Sequence, residues 1–127
     1  MRCGLVLAIV ALGVVPSANA AAVWRVVASD HTYAMYAQLG VSAKVIRPAA
    51  IALRVISAPA QRTSVKWSIA CSKGGRNGST SGSYTAQTTA LQRLRLPLGS
   101  PRSCRVVAHG AFPDGGGTLT MRIYSRS

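Results

Sequence analysis

The stretch "SVKWSIACSKGG", residues 64–75, places Val65, Trp67, Ile69 and Cys71 on alternate positions, with Lys66, Ser68, Ala70 and Ser72 between them. Period two sustained over eight residues marks a half-buried strand, because successive strand side chains point to opposite faces. The same stretch asks where the sulfur of Cys71 goes. The chain has two other cysteines, Cys3 and Cys104.

Cys3 lies in "MRCGLVLAIVALGVVPSANA", residues 1–20. Arg2 supplies a positive start, an apolar run follows from Cys3 to Val15, and Pro16 breaks it. Ala18-Asn19-Ala20 then fits the small-x-small rule of a signal-peptidase site. The run is shorter than the roughly 20 residues needed to cross a bilayer. We therefore expect residues 1–20 to be a signal peptide. A cut after Ala22 and an uncleaved anchor are the alternatives. Residues 21–127 then form a single domain with no transmembrane segment, secreted or periplasmic. In that oxidising setting the remaining pair, Cys71 and Cys104, is expected to form a disulfide. Closing that loop contributes roughly 3–4 kcal/mol in the chain-entropy model, a large share of a typical stability of about 5–15 kcal/mol.

The rest of the chain reads as further short strands. "AIALRVIS" (50–57) alternates Ile51, Leu53 and Val55 against Ala52, Arg54 and Ile56. "CRVVAHGA" (104–111) sets Cys104, Val106 and Ala108 on one face, and "TLTMRIYS" (118–125) does the same with Leu119, Met121 and Ile123. "VSAKVIR" (41–47) ends at Pro48, which suggests an edge strand and pushes Arg47 toward extended backbone. In "LQRLRLPL" (91–98), Leu94, Leu96 and Leu98 alternate with Arg93, Arg95 and Pro97, predicting a strand with arginine outside. "WRVVASDHTYAMYAQL" (24–39) reads as two strands around a turn at Ser29-Asp30-His31, or as a strand and a short helix capped by Ser29. "KGGRNGSTSG" (73–82) reads as a loop on its glycine, serine and asparagine content.

The last two strands fit a hairpin in one register. It opposes Val106 to Ile123 and Ala108 to Met121, with Arg105 over the ring of Tyr124. About seven short strands separated by turns predict an all-β fold: a small antiparallel two-sheet sandwich, immunoglobulin-like in architecture. Trp67 precedes both cysteines, whereas antibody domains carry tryptophan between them, so the expectation extends to architecture alone.

Catalytic groups are scarce. Ser29, Asp30 and His31 are adjacent, and adjacent strand residues face opposite ways, so they do not line up as nucleophile, base and orienter. His31, His109, Asp30 and Asp114 lack the tight spacing of metal ligands. No catalytic residue, metal or other cofactor is expected, and the chain is not read as an enzyme.

Charge is the remaining signal. Fifteen Lys and Arg stand against two acids, Asp30 and Asp114, a net charge of +13. Such a surface attracts polyanions. The expected function is that of an exported basic β-domain binding an anionic cell-envelope or extracellular partner. The candidate anion-binding residues are Lys73 and Arg76 in the glycine-rich stretch and Arg93, Arg95, Arg105 and Arg122 on outward rows. A structural or adhesin-type subunit that assembles by edge-strand addition, and so has a protein partner, is the alternative.

Overall fold

The computed structural model describes residues 23–34, 38–86, 89–111 and 117–127. The expected signal peptide and Asp114 lie outside the described residues. There are eight strands: β1 Arg25–Ala34, β2 Gln38–Ile46, β3 Ala50–Ala58, β4 Thr63–Lys73, β5 Arg76–Ala86, β6 Gln92–Leu94, β7 Ser103–Ala111 and β8 Gly117–Arg126. They form two antiparallel four-stranded sheets, β1-β8-β3-β6 and β2-β7-β4-β5. No described helix is long and apolar enough to cross a membrane.

The antiparallel two-sheet sandwich is thus as expected, and the strand order refines it. Only β4 and β5 are consecutive in the chain and adjacent in a sheet. Every other connection passes from one sheet to the other. This is the order of a jelly roll, an eight-stranded double-sheet fold.

That topology overturns the expected final hairpin. β7 and β8 lie in opposite sheets, β7 between β2 and β4 and β8 between β1 and β3. Ile123 pairs with Leu53 and Met121 with Val55, while Val106 pairs with Ile69 and Ala43. The alternation of both strands was read correctly. Matched inner rows, however, pack face to face across a sandwich as well as side by side in a hairpin. Tyr124 takes Arg54, not Arg105, over its ring.

The inner rows make the core. Ile51, Leu53, Leu119, Met121 and Ile123 of one sheet meet Val65, Ile69, Val106 and Ala108 of the other, each no more than 1% exposed. Burying a side chain of this size stabilises by about 1.5–3 kcal/mol. Cys71 and Cys104 stand directly opposite in β4 and β7, with Cα atoms 4.0 Å apart and an S–S distance of 2.01 Å. The expected pairing is present, and it staples neighbours within one sheet.

Three local readings are corrected. β1 runs straight through Ser29-Asp30-His31, with its irregularity earlier, between Val26 and Ala28. β6 keeps only residues 92–94, so Arg95 and the leucines beyond it leave the ladder. The stretch 73–82 is not a loop: Gly74 and Gly75, with φ of 53° and 86°, make a two-residue turn, and β5 begins at once. Positive φ at both turn positions matches the twist of the flanking strands and suits Gly-Gly. β5 is rich in glycine because its partners need the room. A Cβ on Gly82 would sit 2.8 Å from the Trp67 indole, and one on Gly78 would sit 3.0 Å from Leu98.

Arg47 also departs from expectation. It precedes Pro48 yet has φ of 49°, a left-handed backbone. Its N–H donates to the Arg102 carbonyl at 2.9 Å, which ties the β2–β3 turn to the segment before β7. Such a backbone costs about 1–3 kcal/mol in a non-glycine residue and persists only where its surroundings hold it.

Candidate functional site

The outward face of the β1-β8-β3-β6 sheet is built by strand parity. Leu53 and Ile123 face the core, so Arg54 and its partner Arg122 face out, as do Ala52 with Tyr124 and Ala50 with Arg126. β6 places Arg93 beside Ala52 in the same row. Trp24, just ahead of β1, completes the set. The Arg126 guanidinium lies 4.9 Å from its ring centroid and that of Arg93 lies 6.0 Å away. Arg54 lies 5.4 Å from the Tyr124 centroid, and its Nη1 donates a long bond of 3.5 Å to the Tyr124 hydroxyl. Ala50 and Ala52 point outward yet are 3% and 0% exposed. The large side chains around them must therefore cover this floor, and small alanines leave room for rings and guanidiniums to lie flat.

The electrostatics of this face are unbalanced. Arg54 and Arg122 are direct cross-strand partners, and like charges so placed destabilise a sheet. The Arg54 Nε is buried with no hydrogen-bond acceptor. The chain has only two acidic side chains to offset its cations. One of them, Asp30, uses Oδ1 to accept the His31 N–H at 2.8 Å.

The other sheet presents a different surface. Its outward rows hold Ser42, Ser68, Ser79 and Ser81 with Lys44, Lys66, Arg105 and His109, all exposed. Lys44 opposes Arg105 and Lys66 opposes His109. A shallow groove of about 520 Å³ lies beside Lys44, Ser72, Asn77, Ser79 and Arg105. In β5, burial pushes the Tyr84 phenol up to about 12, so it stays neutral and supplies no counter-charge.

The residues proposed from sequence are distributed over both sheets. Arg93 and Arg122 share the arginine face. Arg105 stands on the serine face, Lys73 and Arg76 flank the Gly74-Gly75 turn, and Arg95 is exposed beyond β6. Sequence reasoning missed Trp24, Arg54, Tyr124 and Arg126 as members of one site. Arg54 was visible as an outward residue of its strand. Only the β8–β3 pairing shows that it opposes Arg122, and only the β1–β8 pairing brings Trp24 to Arg126.

Ser29 and His31 pair with Arg122 and Thr120 on the outward side of β1, whereas the intervening Asp30 pairs with Met121. The three do not converge. Among the described residues no group of three or more His, Cys, Asp or Glu could hold a metal ion.

No protein-family model matches the chain, and no curated protein matches it in sequence. Among solved structures it is similar to a carbohydrate-binding module, TmCBM61 in complex with β-1,4-galactotriose. That likeness has 15% identity over 82% of this chain and 88% of that one, with a TM-score of 0.38.

Proposed function

We propose that the protein is an exported, non-enzymatic binding domain whose arginine and aromatic face takes an anionic polymer or surface of the cell envelope or its surroundings. The observation that carries this reading is the opposed pair Arg54–Arg122. Two arginines set opposite one another on neighbouring strands, in a chain with only two acidic side chains, are relieved by an anion from outside. Rings beneath Arg54, Arg93 and Arg126 fix their planes, which lowers the ordering cost of binding. A disulfide fits an oxidising compartment. Retention on heparin-agarose at 0.15 M salt tests the reading. Arg54→Gln/Arg122→Gln should elute at clearly lower salt and flatten the salt dependence by about two charges' worth. Equal elution of variant and parent would reject this face.

One observation favours a second reading, assembly by strand addition. Three of the four edge strands are defended: β1 by a bulge, β6 by a length of three residues, β2 by Lys44 and the following Pro48. β5 has eleven residues in unbroken register and no charge from Asn77 to Ala86. An edge of that kind is open to another strand. This moves the candidate edge from β2, where the sequence put it, to β5. Size-exclusion chromatography showing one monomeric species at all concentrations would remove this reading.

A further inference from the structure

Three cations outside the arginine face line one recess at an end of the sandwich. Arg47 on the β2–β3 turn, Lys73 at the tip of β4 and Arg102 ahead of β7 line a recess of about 550 Å³ with Pro48, Gly74 and Ser100. Among the described residues no acidic side chain lines it.

The backbone of this recess is held in costly conformations. Arg47 and Ser100, with φ of 49° and 46°, are the two non-glycine residues with positive φ among the described residues, and both line the recess. Strained backbone collects at functional sites because its surroundings must over-determine it. Here the surroundings do so. Arg47 N–H donates to the Arg102 carbonyl at 2.9 Å, and Arg102 N–H donates to the Ser72 carbonyl at 2.8 Å. Lys73 Nζ donates to the Gly99 carbonyl at 3.1 Å, which leaves two of its three donors for a ligand. The Cys71–Cys104 bridge lies two residues from both Lys73 and Arg102. The disulfide therefore ties together the strand ends that present two of the three cations.

We infer that this recess is a discrete site for a compact tetrahedral dianion, a phosphate group free or as a monoester. Two guanidiniums and an ammonium on the lining of one recess supply the donors that the oxygens of such a group accept from. The site uses none of the side chains of the arginine face, and it adjoins that face where the Ala49 N–H donates to the Arg126 carbonyl at 2.7 Å.

The test is an NMR titration of the oxidised protein with inorganic phosphate, chloride being exchanged to hold ionic strength constant. A parallel arm uses glycerol 3-phosphate. Saturable shifts should centre on the amides of Gly74, Gly99, Ser100 and Arg102. Arg47→Gln/Arg102→Gln should weaken binding at least tenfold, and Lys73→Gln, at an exposed position, should weaken it less while leaving the fold intact. Tighter binding of glycerol 3-phosphate assigns the site to a phosphomonoester; equal or tighter binding of inorganic phosphate assigns it to the free anion. Shifts no larger than those of chloride, or unchanged affinity in both variants, would overturn the inference. Heparin elution separates the two sites: it should fall in Arg54→Gln/Arg122→Gln and hold in Arg47→Gln/Arg102→Gln.

Discussion

Both sheets set two cations opposite one another on their outward faces, and they treat the pair differently. Arg54 and Arg122 are half-buried on a floor of alanines, with Arg54 against the Tyr124 ring. Lys44 and Arg105 are exposed among serines. Water screens the second pair and leaves both side chains free to diverge. In the first pair one member lies against a ring and both have lost part of their water, so the repulsion is less screened. Counting charge would rank the two faces alike. The ring against Arg54 and the partial burial of both arginines separate them, and the proposed anion binding rests on that difference.

The two sheets differ again in how they are held. The serine sheet carries the disulfide, between β4 and β7. The arginine sheet has no covalent link and relies on the central strands β3 and β8. Removing the bridge as Cys71→Ala/Cys104→Ala should cost about 3–4 kcal/mol in urea unfolding, from the loop of 33 residues it closes. Hydrogen exchange should locate the loss, with protection falling first at the paired ends of β4 and β7 while β3 and β8 keep theirs. A uniform fall across both sheets would break the contrast and make the bridge a global constraint.

This contrast also marks how far the residues could be read without the fold. β3, β4, β7 and β8 were legible because one face is apolar and the other is not, and period two survives in the sequence. β5 was hidden because its inward positions are filled from outside: Trp67 lies over Gly82 and Leu98 over Gly78. A strand whose neighbours supply its apolar cover carries glycine where a pattern needs valine. Strand pairing was the larger omission. Alternation says which residues face inward, and it does not say which strand lies alongside. The β7–β8 register was self-consistent and wrong for that reason. The arginine face depends on pairings between strands far apart in the chain, β1 with β8 and β8 with β3, so its members could not be assembled from spacing. The cystine was legible because the expected removal of residues 1–20 would leave only two candidates.

The smallest expected effect sharpens the opening contrast most directly. Arg122→Gln removes one member of the half-buried pair, and Arg105→Gln removes one member of the solvated pair. At low salt Arg122→Gln should raise the unfolding free energy by about 0.5 kcal/mol, within the range for relief of a like-charged cross-strand pair. Arg105→Gln should change it by about 0–0.2 kcal/mol, as exposed charges contribute little. Raising salt to 0.5 M should shrink the first effect by screening, and added heparin should reverse it, because the parent then gains more from the bound polyanion than the variant does. Urea midpoints at two salt concentrations, with and without heparin, measure all of this on four samples. Equal shifts for the two substitutions in every condition would mean that rings and burial confer nothing on the arginine face, and that the two faces differ only in the names of their residues.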